Sequence, residues 1–256
     1  MSHDLLEKVA IVTGGSGGIG SATVKKFLAA GAKVLLVDRL QKDVDLALKH
    51  LDSPQVRGFA ADVSKSEQVE AYFKAANDHF GGIDIVFANA GVEGAVKPIL
   101  DYPEAEFDRV LAVNVKGAFL AIKNAIPFLQ RRGGGAIIVT SSVAGLVGSP
   151  GMTAYITSKH AVLGLVKTAA IELGPMNIRV NAIAPGPIDN RMMRSLEDQS
   201  SPGHGGAVKA AFTAQMPLGR YGTNDEIAEM ALFLASNRSS NSTGAVFLSD
   251  GGFVAH

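Results

Sequence analysis

No cysteine occurs among the 256 residues. Its absence excludes disulfides and a thiol nucleophile, and it suits a reducing cytoplasm, where the protein is expected to reside. Neither sign of charge is in excess, because 24 Lys and Arg balance 24 Asp and Glu. Without a basic surplus, neither nucleic acid nor a membrane surface is an expected partner. Neutrality also removes one brake on self-association. No apolar run approaches the roughly 18 residues that span a bilayer. The opening "MSHDLLEKVAIVTGG" sets acidic residues before a short apolar run that ends in glycine, unlike a secretory signal. His3, His50, His79, His204 and His256 show no metal-ligand spacing, so no catalytic metal is expected. His160 is read as a packing residue.

What is present is apolar mass. Hydrophobic residues make up 47% of the chain, enough for a large core. Seven short runs read as strands: 8–13, 33–38, 56–61, 84–89, 136–141, 178–184 and 245–249. They are nearly continuously apolar, the pattern of strands covered on both faces in a parallel sheet. Helix-period segments lie between them. "SKSE" (Ser64 to Glu67) and "TNDE" (Thr223 to Glu226) read as capping boxes that start two helices. This alternation predicts one α/β domain over residues 1–256, a doubly wound, seven-stranded parallel sheet flanked by helices. One segment departs from it. Residues 189–216 include "DQSSPGHGG", read as a mobile loop, and Met192, Met193 and Leu196 at the spacing of a short amphipathic helix. A lid over a binding pocket is expected there.

The first strand runs into "TGGSGGIG" and then a helix. Gly14, Gly18 and Gly20 form Gly-x-x-x-Gly-x-Gly, and the turn Gly14, Ser16, Gly17, Gly18, Ile19 and Gly20 suits a pyrophosphate at a helix N-terminus. Asp38 ends the second strand, 18 residues after Gly20. A carboxylate there accepts from ribose hydroxyls and repels a 2′-phosphate, which points to NAD over NADP. Arg39 follows directly and leaves NADP open. Asp62, with Val63 beside it, is placed to accept from an adenine amino group.

Tyr155 and Lys159 stand four residues apart, on one face of a predicted helix. They have company in a fixed order. "TGGSGGIG", "ANAG" (88–91), Asn114 in "VNVKG", "VTSSVAG" (139–145), "YITSK" (155–159) and "APGPI" (184–188) follow one another. The chain thereby resembles the short-chain dehydrogenase/reductase family over nearly its whole length, which implies a Rossmann-type fold. The resemblance implies that Tyr155 is the catalytic acid/base and Lys159 its partner on the cofactor ribose. It makes Ser142 the serine that binds the reacting oxygen, with Ser141 as the competing assignment. Asn114 becomes the asparagine that holds a water of the proton relay. Asn89, Ala90 and Gly91 are implied beside the cofactor ribose, and Pro185, Gly186 and Ile188 beside the nicotinamide. Two positions depart from the family pattern. Ala88 stands where Asn is common, and Asn190 where Thr is common, still able to bond the cofactor.

The expected activity is NAD(H)-dependent interconversion of a secondary alcohol and a ketone. Lys159 and the nicotinamide are expected to lower the proton affinity of Tyr155. Val92, Glu93, Gly94, Ala144, Val147, Met152, Pro187, Met192 and Met193 are expected to line a mostly apolar pocket for a cyclic or aryl substrate. The alternatives are a 3-oxoacyl-acyl-carrier-protein reductase and a dinucleotide-binding scaffold without catalysis. Resemblance also implies a homotetramer.

Overall fold

The computed structural model describes residues 4–255; His3 and His256 lie outside the described residues. Seven strands form one sheet: β1 (Val9–Thr13), β2 (Lys33–Asp38), β3 (Val56–Ala60), β4 (Ile85–Ala88), β5 (Gly135–Thr140), β6 (Ile178–Pro185) and β7 (Val246–Ser249). All pairings are parallel, in the order β3-β2-β1-β4-β5-β6-β7. Every strand expected from the sequence is found within a residue or so of its predicted ends. The reason is visible along β1, where successive side chains point to opposite faces. Ile11 faces one core, and Ala10 and Val12 face the other.

Helices cover both faces. On one side lie α1 (Gly18–Ala29), α2 (Gln41–Leu51) and α9 (Asn224–Ala235), whose Phe27, Val44 and Leu234 are fully buried. On the other lie α3 (Ser66–Phe80), α5 (Gly117–Arg131) and α6 (Thr153–Leu173), which bury Phe73, Leu129 and Val166. The expected box at Thr223 is formed: its hydroxyl accepts from Glu226 N, and the Glu226 carboxylate accepts from Thr223 N at 2.7 Å. The expected box at Ser64 is not. The Asp62 carboxylate takes both the amide and the hydroxyl of Ser64, and α3 begins after Lys65.

α4 (Glu104–Leu111) continues through a π turn, Ala112–Lys116, into α5. The combined helix, Glu104–Arg131, is by length and composition apolar enough to cross a membrane. The sequence shows no such run because Lys116 and Lys123 interrupt it. Its apolar face instead packs on β4, α3 and α6.

The segment expected as a lid is mostly helical. α7 (Arg191–Ser200) and α8 (Gly205–Ala214) leave only Ser201–His204 between them. Asn190 caps α7, its side-chain oxygen accepting from Met192 N and Met193 N at 3.0 and 3.3 Å. Gln199 ties α7 down, accepting from Val96 N and donating to Gly94 O.

At the N-terminal end of the sheet Asp84 is 4% exposed. Its carboxylate accepts from Val9 N at 2.9 Å and from Arg132 Nε and Nη2 at 3.0 and 3.3 Å. Asp84→Ala leaves a buried amide unpaired, and is expected to cost about 2–3 kcal/mol, since Arg132 is part-exposed and contributes less. Urea unfolding checks the value; a cost under about 0.5 kcal/mol means that Asp84 does not fasten β1 to β4.

Candidate active site

Strand order reverses between β1 and β4, so the connections leaving these strands part to opposite faces. A crevice opens at their carboxyl ends, where doubly wound sheets take ligands. A cavity of about 1480 Å³ occupies that edge. It exceeds the roughly 300–1,000 Å³ of a single small-molecule site, leaving room for a cofactor and a substrate together.

One end is built by the glycine turn. Gly14 has a φ of +63°, and a Cβ on Gly20 would lie 2.0 Å from Gly14 O. The turn can close only with glycine at both positions. Gly17 caps α1 without a side chain, and no acidic residue stands in the first turn. The helix therefore presents free N–H groups and its positive end to the cavity. These features fit a pyrophosphate. Asp38 lies beside the turn, and its carboxylate accepts from Ser16 N at 3.0 Å and from the Ser16 hydroxyl. Arg39 is exposed on the cavity rim. Asp62 and Val63 line the wall as well. Burial acts to raise the Asp62 pKa, but hydrogen bonds from Ser64 outweigh it and hold the carboxyl below its ordinary value.

The middle is a polar lattice. Thr13 Oγ1 accepts from Asn89 N and Ala90 N, and Asn89 Nδ2 donates to Thr13 O at 3.1 Å. Thr140 donates to Asn89 Oδ1, and its carbonyl accepts from Lys159 Nζ at 2.7 Å. Asn114 sits in the π turn, 3% exposed. It exchanges two hydrogen bonds with the backbone of Val92, at 2.8 and 3.0 Å, and donates to Ser158 Oγ. Ser158 in turn donates to Tyr155 O at 2.7 Å. Asn114 therefore lies behind the cavity wall, not on it. Thr13, Thr140 and Ser158 were not among the residues expected from the sequence. Only the place of Ser158, on the Tyr155 helix face, signals it there.

α6 carries Tyr155 and Lys159 on its buried face, 8% and 4% exposed. Lys159 Nζ is 5.5 Å from the Tyr155 ring centroid. Burial pushes the phenol up to about 12; the Ser142 hydroxyl acts against the rise and the Glu93 carboxylate adds to it. Burial likewise pulls Lys159 down to about 8. The expected lowering of the Tyr155 proton affinity is thus not produced by the protein's own groups. Lys159 spends a hydrogen bond on Thr140 O and lies by the ring, so desolvation of the phenolate dominates.

Ser142 lines the cavity and donates to Pro185 O at 3.4 Å, while accepting from Ala144 N. Ser141 Oγ turns away and donates to Lys159 O at 3.0 Å, fixing α6 to the end of β5. Gly91, Pro185, Gly186, Ile188 and Asn190 line the cavity, although Asn190 has committed its side-chain oxygen to the α7 cap. Of the expected pocket residues, Val92, Ala144, Val147, Met152, Pro187, Met192 and Met193 are on the wall. Glu93 and Gly94 are not. Glu93 pairs with Arg191 at 3.3 Å, and Gly94 is buried against Tyr102 and Val110. Leu196, expected on a helix over the pocket, lines it too, and Phe212, Phe253 and Val254 line it unannounced. His160 is exposed, with Nδ1 3.0 Å from Ile156 O, rather than packed.

Comparison with known proteins agrees with this geometry. A family model described as Enoyl-(Acyl carrier protein) reductase matches residues 14–254. Levodione reductase of Leifsonia aquatica is 36% identical over 96% of this chain and 94% of its own. The 3alpha-hydroxysteroid dehydrogenase of Mediterraneibacter gnavus is 39% identical over 96% and 97%. A 3-oxoacyl-acyl-carrier-protein reductase of Thermotoga maritima is 35% identical over 96% and 98%. A crystal structure of levodione reductase superposes with a TM-score of 0.95, covering 98% of this chain and 99% of that one at 36% identity. Fold, cavity and relatives define an oxidoreductase. The chain belongs to the short-chain dehydrogenase/reductase family, whose members use nicotinamide cofactors.

Proposed function

We propose that the protein interconverts a secondary alcohol and a ketone with NAD(H), acting on an apolar cyclic or aryl substrate. The observation that carries this reading is the convergence of Ser142, Tyr155 and Lys159 on one cavity wall beside the glycine turn. Residues Gly14 to Gly20, Asp38, Asp62, Asn89 to Gly91, Lys159 and Pro185 to Ile188 would hold the dinucleotide. When bound, the oxidised nicotinamide would accept the hydride and add positive charge beside the phenol, and the reduced, uncharged form would supply the hydride. Ser142 donates a hydrogen bond to the substrate oxygen. Tyr155 takes the hydroxyl proton in oxidation and returns it in reduction. Lys159 fixes Tyr155 and the ribose hydroxyls, and Asn114 keeps α6 in register with the Val92 backbone. Most expected pocket residues on the wall are apolar, which favours a hydrophobic substrate.

Asp38 supports NAD, and a homotetramer in the cytoplasm is proposed with it. Exposed Phe119 on α5 and Ile171 on α6 support the assembly, at 47% and 79% exposure. Arg39 and the Thermotoga relative favour a second reading, an NADPH-dependent 3-oxoacyl reductase. NADH and NADPH absorbance, followed over aliphatic, cyclic and aryl alcohols and ketones and a 3-oxoacyl thioester, separates the two. Turnover of ring-bearing ketones with NADH supports the first. Turnover confined to NADPH and the thioester overturns it.

Asp38→Ser keeps Arg39 and removes the charge that repels a 2′-phosphate. Preference for NADP over NAD, measured as the ratio of kcat/KM values, is expected to rise about ten- to hundredfold. An unmoved ratio would sink the assignment of Asp38 to the ribose.

A further inference from the structure

The last strand feeds a turn that the sequence reading did not connect with the site. β7 ends at Ser249, and Asp250 follows against the nicotinamide-side loop. Gly186 N donates to Ser249 O at 3.0 Å, and a Cβ on Gly186 would lie 2.7 Å from Asp250 Cα. The Asp250 carboxylate then folds the chain back on itself. Oδ1 accepts from Gly252 N and Oδ2 from Val254 N, both at 3.0 Å. Gly251 and Gly252 have φ of +63° and +87°, which a side chain would resist. The far side of the turn is held by the segment after α8. Leu218 N donates to Gly251 O at 3.1 Å, and Gly252 packs on Pro217. Phe253 emerges from this clamp onto the cavity wall, its ring centroid 6.2 Å from that of Phe212 on α8.

The two rings come from segments about forty residues apart and meet only at this wall. Neither is a core residue: both are only half-buried, and both line the cavity. An aromatic pair with open faces is a surface for another ring, because offset and edge contacts remain available. Accepting the dehydrogenase reading above, we propose that the Asp250–Val254 turn is the distal wall of the substrate site. Phe253, with Phe212, recognises an uncharged ring on the substrate and sets which alcohols are accepted. Asp250 is a positioning residue that aims Phe253.

Two measurements test this. In the first, 1-indanol and 2-butanol are oxidised by wild type and by Phe253→Ala. The KM for 1-indanol is expected to rise about tenfold more than that for 2-butanol. Equal shifts for both alcohols, or none, overturn the wall. Asp250→Asn retains an oxygen for only part of the clamp and is expected to move the same ratio in the same direction, by less. The second measurement needs no turnover. The chain has no tryptophan, so Phe253→Trp installs a single emitter on the proposed wall. Titration with 4-nitroacetophenone, an aryl ketone that quenches by contact, is expected to give saturable quenching. Leu6→Trp, at an exposed position before β1, serves as the control. Quenching of Trp at 253 no greater than at 6 overturns the proposal. Saturable quenching in a protein that oxidises no alcohol upholds the ring-binding wall and overturns the dehydrogenase reading instead.

Discussion

Tyr155→Phe is expected to lose at least about a hundredfold in kcat while NAD affinity, read by calorimetry, stays within about threefold. The substitution removes one oxygen and leaves the ring. The packing that places the ring survives: Ser158 still bonds the Tyr155 carbonyl, which the change does not touch. Lys159 Nζ keeps its bond to Thr140 O. What disappears is the hydroxyl that the proposed mechanism uses to exchange a proton with the substrate oxygen. Burial holds that phenol up at about 12, so it stays protonated across the neutral range. In reduction it is a ready donor. In oxidation it must be helped to ionise, and alcohol oxidation is therefore expected to accelerate with pH more steeply than ketone reduction. Near-wild-type kcat in Tyr155→Phe would remove the proposed mechanism.

Lys159→Met is expected to pull activity and stability in opposite directions. Burial lowers the lysine from 10.5 to about 8, so keeping it charged at pH 7 costs about 3 kcal/mol of folding free energy. Methionine has similar length and no charge. It forfeits the bond to Thr140 O, about 1 kcal/mol, so the variant is expected to gain about 2 kcal/mol, roughly 4–8 °C in Tm. The sign with pH follows from proton counts. Between pH 8 and 10.5 the unfolded chain binds the lysine proton and the folded chain does not, so wild-type stability from this group rises with pH. Above pH 10 Tyr155 works the other way, because it stays protonated in the fold after it has ionised in the unfolded chain. The gap between the variant and wild type should accordingly narrow from pH 8 to 10. Turnover should fall at least about a hundredfold, with weaker NAD binding. A variant that is less stable than wild type at pH 7 would show that the ammonium is not a burden, and unchanged turnover would take Lys159 out of the site.

The strands could be read from the chain because both faces of the sheet are covered, which leaves unbroken apolar runs such as Ala10, Ile11 and Val12. The glycine turn was legible for a steric reason that operates within seven residues. Thr223 and Ser64 head similar capping patterns, yet only the first makes its box. The difference is Asp62, which claims the Ser64 hydroxyl from two residues upstream. Residues 198–206 look like loop by composition, but Gln199 is turned to a structural use by Val96 and Gly94, about a hundred residues away. Glu93 and Gly94 were expected on the pocket wall, and Arg191 and Tyr102 take them out of it. Phe253 was invisible because nothing local marks the Asp250 turn as adjacent to Phe212. Local sterics and periodicity are written in the chain; pairings between distant segments are settled by packing alone.

The strand order carries a consequence for how the molecule assembles. β1, β2 and β3 pair with sequence neighbours, and so do β4 through β7. The one skip is β1 to β4, which brings Ala10 to Ile85. That pairing closes the longest stretch of chain in the sheet, although Ile85 with Ala136 and Ala182 with Val246 are also distant in sequence, so every step after β3 carries a loop-closure cost. The glycine turn and Asp38 belong to the half made first during synthesis. The proposed ring-binding wall hangs on β7, the edge strand made last. On these proposed assignments a nascent chain completes its dinucleotide end before the segment that selects the substrate.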